Sequence, residues 1–215
     1  METIAVIDFE TTGISPSQGA RATEIAAVQV QGGEIVARFQ SLMNSGAWVP
    51  PFITQLTGIT NQMLQSAPPA RAVMHEVARF TKGCPIVAHN AAFDRQFWRA
   101  EFERAGCELD SAHHFACTVL LSRRLYPHAD NHRLGTLAKL HALPSAGRAH
   151  RALADAEVTA HLLLRMQDDV ERRFAEALAG ATATHALLTA LQRAPRDQLS
   201  RCVTRALARA QEAVG

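Results

Sequence analysis

A short apolar run that ends in two acids one residue apart constrains this chain more than any other feature. Ile4, Ala5, Val6 and Ile7 lead into Asp8 and Glu10, with Thr11, Thr12 and Gly13 close behind. Side chains at i and i+2 of a strand share a face, so both carboxylates aim into one space. An unbroken apolar run belongs inside a sheet, where adjacent like charges repel unless a cation sits between them. Hard divalent cations take carboxylate oxygens, which makes a metal the first expectation. The plainer reading, two capping or salt-bridged acids, leaves charge at the end of a buried strand without compensation.

Two further acid motifs follow. His89-Asn90-Ala91-Ala92-Phe93-Asp94 comes straight after the apolar run Pro85–Ala88 and opens a helix-like stretch from Arg95 to Arg104. Asp94 is thereby expected in the first turn of a helix at the carboxyl end of a strand, where open α/β sheets place their active sites. Taken alone, it reads equally as an acid favoured by the helix dipole. His150 precedes Asp155 by five positions. A helix starting near Arg151 puts Asp155 on its second turn and leaves His150 on the preceding loop. A carboxylate is then held rigidly beside a histidine free to move as a proton acceptor.

The remaining pattern is that of an α/β chain. Thr23–Val30 and Glu34–Leu42 read as strands joined by Gly32-Gly33, a hairpin. Pro50-Pro51 opens a short helix to Leu56, and Pro68-Pro69 a helix through Phe80. Strand 114–117 and helices 119–125, 134–141 and 151–170 complete the series. Antiparallel strands first and βα units afterwards predict a mixed sheet with helices on its faces. The lengths fit one domain over 1–170 with a helical extension over 171–215. Trp48 and Trp98 are expected to pack, and His113, His114, His128, His132 and His141 to lie on loops or surfaces.

No run is long enough to span a bilayer, and no basic segment followed by an apolar one opens the chain. Cys84, Cys107, Cys117 and Cys202 form no C-x-x-C pair, which argues against a zinc site and fits a reducing cytoplasmic compartment. A net charge of +2 says nothing by itself about a nucleic-acid partner. Lys82 and Lys139 are the only lysines, so the basic side is nearly all arginine, which suits bidentate phosphate contacts.

Taken together, Asp8-x-Glu10 with Thr12-Gly13, His89-Asn90-x-x-Phe93-Asp94 and His150-x-x-x-x-Asp155 resemble the DEDDh, or DnaQ-like, 3′→5′ exonucleases. That family includes the proofreading epsilon subunit of DNA polymerase III. The resemblance covers about residues 1–170 and includes Leu56-Thr57-Gly58. It implies a ribonuclease H-like fold and two Mg²⁺ or Mn²⁺ ions about 4 Å apart, acting in phosphodiester hydrolysis. It further implies that Asp8 bridges both ions, Glu10 and Asp155 complete the first site, and Asp94 serves the second. His150 is implied as the base. Thr11, Thr12, Gly13, Leu56, Thr57, His89, Asn90 and Phe93 are implied as substrate contacts, with Leu56 wedged against the terminal base. The implied partner is a nucleic-acid 3′ end, preferably single-stranded DNA. One departure is Cys117-Thr118, where the family often has Asp-Thr.

Three other readings stay open. A haloacid-dehalogenase-like phosphatase would need aspartate in place of Glu10 and leaves His150 unexplained. A non-catalytic nucleic-acid-binding or polymerase-accessory module would be expected to have lost one of the five residues. An RNA-trimming exoribonuclease shares every motif. The tail carries seven arginines against four acids, with Leu199, Val203 and Leu207 on one helical stripe and Arg201, Arg205 and Arg209 on another. It reads as a helical hairpin packed on the core with a solvated basic face. A nucleic-acid contact, a homodimer surface and a DNA polymerase dock are the functional alternatives.

Overall fold

The structure, a computed structural model, describes residues 2–144, 147 and 149–212, the last three of these for the backbone only; 213–215 of the extension lie outside the described residues. Its first half runs β1 (Thr3–Thr11), β2 (Ala22–Gln31), β3 (Glu34–Leu42), α1 (Pro51–Thr57), α2 (Asn61–Gln65), α3 (Ala70–Phe80) and β4 (Ile86–Ala88). Then come α4 (Ala91–Ala105), β5 (Phe115–Cys117), α5 (Thr118–Leu125), α6 (Leu134–Leu140), α7 (Ala152–Arg173), α8 (Ala175–Leu178), α9 (His185–Leu191) and α10 (Leu199–Glu212). The strands form one sheet in the order β3-β2-β1-β4-β5. β1, β2 and β3 pair antiparallel, whereas β4 runs parallel to β1 and β5 parallel to β4. This is the mixed sheet the sequence predicts. Gly32 and Gly33 turn the hairpin at φ 62° and 84°, the left-handed values that a tight two-residue turn requires.

Alternation along β1 sorts its side chains between two cores. Ala5, Ile7 and Phe9 pack toward α3 and α4 with Val73, Met74, Phe97, Trp98 and Phe102. Ile4 and Val6 face α7, whose Ala152, Ala156 and Ala160 recur every four residues and let the helix lie close on the sheet. Asp8 and Glu10 continue that α7 face beyond the apolar part of the strand. The sheet therefore holds the two acids where the first turn of α7 passes over them.

Three expectations need correction. Asp155 lies in the first turn of α7, because the helix begins at Ala152. The helix also runs through residue 170 to Arg173; beyond it Phe174, Leu178, Leu187, Leu188, Leu191, Leu199 and Val203 join the core, the packing expected of the extension. Trp98 is fully buried, but Trp48 is 66% exposed, because the irregular segment around it encloses only a small cluster of Val49, Ile53, Ile59 and Leu64.

The extension closes the open edge of the sheet. The buried Gln192 amide accepts from Cys117 N (2.6 Å) and donates to Phe115 O (3.3 Å), so one side chain stands in for a missing strand beside β5. His185 Nε2 bonds the Ile86 carbonyl at 2.9 Å, and its backbone N–H donates to Glu2. Among the described residues no helix is long and apolar enough to cross a membrane.

Candidate active site

β4 pairs with β1 only at Ala5 and Val6, which leaves the β4 side of β1 unpaired further along. Asp94, in the first turn of α4, fills that gap. Its Oδ1 accepts from Phe9 N at 3.2 Å, and the residue is only 2% exposed. Asp155 Oδ2 accepts from His150 N at 3.1 Å. One ligand atom each from Glu10, His150 and Asp155 lie within 4.8 Å of one another. Asp8 is flanked by the charges of Asp94, Glu10, Asp155 and Glu24. All five motif residues thus meet at the carboxyl ends of β1 and β4.

The electrostatics are those of acids crowded together and partly withdrawn from water. Burial, reinforced by its acidic neighbours, pushes Asp8 well above the usual carboxylate range. Burial, then Asp155, Glu24 and Asp94, raise Glu10 to about 8. Burial raises Asp94 to about 7 against the opposing hydrogen bond from Phe9 N, and it lifts Asp155 as well.

Glu24 is the exception, and sequence reasoning missed it. It pairs with Glu10 in the β1–β2 register, on the same face. Its carboxylate takes two bonds from Arg151 (2.7 and 3.0 Å), one from Ala152 N (3.1 Å) and one from Gln40 (2.7 Å). Burial alone would raise Glu24, but these donors outweigh it and hold it below its ordinary value. Glu24 thereby ties the N-terminus of α7 to β2 and fixes where Asp155 stands. The available signal was the antiparallel pairing of β1 with β2, whose register sets Glu24 opposite Glu10. Arg151→Ala, which strands a buried anion, is expected to cost about 3 kcal/mol of stability; urea denaturation measures it, and a loss within error would remove the pair from this role.

A cleft of about 940 Å³ opens at this site, lined by His89, Asn90, His150 and Asp155 together with Arg123, Arg133 and Lys139. The three cations come from α5, α6 and the loop between them, and nothing in the motifs pointed to them. Asn90 and His150 hold left-handed backbones (φ 64° and 61°), two of four such non-glycine residues among those described. Strain of this kind gathers at functional sites. Burial drives His89 down to about 4, so its ring is neutral, and Nδ1 lies 2.8 Å from Thr118 Oγ1. Thr118 thus retains a supporting role although Cys117 stands beside it; Cys117 itself is buried with its N–H on Gln192.

The remaining expected contacts are mostly engaged within the fold. Thr57 is buried, donating its hydroxyl to Ile53 O and accepting from Ile59 N, so it shapes the end of α1. Thr11 donates to Gly13 O, and Thr12 Oγ1 accepts from Arg21 N. Both hydroxyls hold the turn after β1. At Gly13 a Cβ would come within 3.3 Å of the Ala20 methyl, so glycine keeps that turn close-packed. Phe93 packs on Phe97 with ring centroids 5.0 Å apart. Leu56 is 47% exposed on α1.

The Exonuclease family profile matches residues 5–163, which include all five of these residues. The chain belongs to the exonuclease family. Among curated relatives, the 3′-5′ exonuclease DinG of Bacillus subtilis is 39% identical over 78% of this chain and 18% of its own length. DNA polymerase III PolC-type of Bacillus cereus is 40% identical over 79% of this chain and 12% of its own. The chain therefore spans less than a fifth of these relatives. Exonuclease X, solved in complex with 5′ overhanging duplex DNA, shares the fold with a TM-score of 0.61 and 24% identity, over 93% of this chain and 99% of that one. E. coli Exonuclease I in complex with a dT13 oligonucleotide gives a TM-score of 0.69 at 19% identity, over 83% of this chain and 44% of that one. The carboxylate cluster of this exonuclease-family chain is therefore a candidate metal centre on an established nuclease fold.

Proposed function

We propose that this protein is a 3′→5′ exonuclease that hydrolyses phosphodiester bonds at DNA 3′ ends and releases nucleoside monophosphates. The observation that carries the reading is the convergence of Asp8, Glu10, Asp94 and Asp155 beside His150, with Arg151, whose charge acts on Glu10, already committed to Glu24. Four acids raised by burial, Asp8 and Glu10 also by their acidic neighbours, fit hard divalent cations, and these four would hold Mg²⁺ or Mn²⁺. Such ions, when bound, supply Lewis acidity toward the scissile phosphate and offset the charge of the acids. Among the chain's own groups, His150 accepts the proton of the attacking water. Phe9 N–H and His150 N–H fix the orientations of Asp94 and Asp155. Arg123, Arg133 and Lys139 offer the cleft's cations to the phosphates of the substrate.

The proposed setting is cytoplasmic, in keeping with four free cysteines. A DNA polymerase is the protein partner favoured, because the PolC-type relatives contain the matched stretch.

The test uses purified protein with 5′-labelled single-stranded DNA, blunt duplex, duplex with a mispaired 3′ end, and RNA. Shortening from the 3′ end is expected in Mg²⁺ or Mn²⁺ and should stop in chelator; full turnover in chelator would overturn the reading. Single strands should be consumed faster than blunt duplex, since freeing a paired terminus costs a few kcal/mol. Equal rates would remove that preference, and RNA shortened faster than DNA would change the substrate class.

A further inference from the structure

Three hollows run end to end across the molecule. The candidate catalytic cleft shares Arg123 and His132 with a second hollow of about 410 Å³. That one shares Ala194 and Pro195 with a third, of about 760 Å³, between α9 and α10. The path thus begins at Asp155 and His150 and ends along the C-terminal helix.

Its charge is one-sided. Beyond the cleft the walls carry Arg193, Arg196, Arg201, Arg205 and Arg209, with neither aspartate nor glutamate. All five are exposed, and none has an ion pair among the described residues. Residues 185–209 hold these five arginines and a single acid, Asp197, so positive charge is concentrated here although the whole chain carries only +2. Arg201, Arg205 and Arg209 recur every four positions on α10, which stacks them about 6 Å apart along the helix axis. Such a row is self-repelling and is relieved by an anionic partner that is itself extended and regularly charged. Arg124 donates to Ala194 O and Leu120 O, anchoring the turn after α9 to α5 and so holding the hollows in line.

We infer that this track binds the sugar-phosphate backbone of the strand whose 3′ end occupies the cleft, over the nucleotides leading away from the reacting one. The inference rests on the proposed nuclease reading for its direction. No Phe, Tyr or Trp lines the second or third hollow, so the contact is to phosphates and ignores base identity. The extension then has two uses: it seals the edge at β5 and extends the grip on the strand.

The test is a triple charge reversal, Arg196→Glu, Arg201→Glu and Arg205→Glu, in the full chain. The control carries the same charge change at Arg71, Arg79 and Arg99, on α3 and α4, away from the track. Kd is measured by fluorescence anisotropy in chelator, for DNA strands of about 4 and about 20 nucleotides, and KM and kcat in Mg²⁺. For the long strand, Kd and KM should rise at least tenfold with kcat unchanged. The slope of log Kd against log salt should fall by about 0.7 for each arginine lost. The short strand and the control should stay near the parent. Equal weakening for both lengths, or an unchanged long-strand Kd, overturns the track; the second result would leave the face to an acidic protein partner. The two readings fail separately. A chain that binds long strands through these arginines but cleaves nothing keeps the track and loses the nuclease, whereas cleavage by the triple variant with the parent's KM for the long strand does the reverse.

Discussion

Asp94→Asn should lower exonuclease turnover by about 10³-fold or more, the scale of removing metal-assisted charge stabilisation, and yet stabilise the metal-free protein at pH 8. Asp94 is nearly fully buried, and burial raises it to about 7, while Glu10 rises to about 8 and Asp8 also climbs. In the unfolded chain these groups titrate near 4. Between about pH 4 and 8 the folded state therefore holds protons that the unfolded chain has released, so stability falls as pH rises through that window. The penalty is on the order of a few kcal/mol when the cluster is fully charged. Asparagine keeps an oxygen for Phe9 N–H but removes one buried charge and relieves Asp8. Thermal melts at pH 5 and pH 8, with and without Mg²⁺, check each part. The parent should melt lower at pH 8 than at pH 5 without metal and gain more from Mg²⁺ at pH 8; the variant should show a smaller gap. A variant with parental turnover, or with the parent's full pH dependence, would sink the account.

What the sequence disclosed followed what local periodicity can encode. Period-two alternation put Asp8 and Glu10 on one face, and Gly32-Gly33 between two alternating runs marked the hairpin. Asp94 and Asp155 are different. Their positions next to helix starts were legible, but no spacing rule brings residues so far apart to one point; the order of the motifs did that through the family resemblance. Contacts that depend on a single distant partner left no trace. Glu24 and Arg151 are 127 positions apart, and Gln192 reaches Cys117 across 75. Thr57 is implied in substrate contact by its place in a motif, and a hydroxyl at a helix end equally serves the helix's own carbonyl four residues back, here Ile53 O. Trp48 failed for another reason: residue type states how much surface a side chain has to bury, not whether neighbours arrive to cover it. The arginine row on α10 was read correctly as a face, but its continuity with the cleft arises only from how the hairpin docks on α5 and β5.

His150 offers the sharpest test of mechanism. Its ring is close enough to Glu10 and Asp155 to serve either as a proton acceptor or as a fifth ligand, and the two roles separate on replacement. As the general base, its loss removes proton transfer and leaves all four carboxylates in place, so kcat should fall by about 10²–10⁴-fold with metal and oligonucleotide affinities close to the parent's. The backbone complicates an alanine, because His150 sits at φ 61° and its N–H orients Asp155. Asparagine adopts that left-handed conformation more readily, so His150→Asn preserves the turn while removing the imidazole. Both variants should lose rate to a similar extent, and added imidazole should restore part of it in His150→Ala, where a space is left. If only the alanine variant is slow, the side chain matters through the loop, and Asp155 misplacement explains the loss. If Mn²⁺ affinity, read by titration calorimetry, falls together with rate in both, the imidazole is a ligand and the base lies elsewhere. An exposed histidine held in a strained turn beside four clustered acids, two of them buried, is placed to take a proton from solvent-accessible water and release it to bulk, and that placement is what the paired variants interrogate.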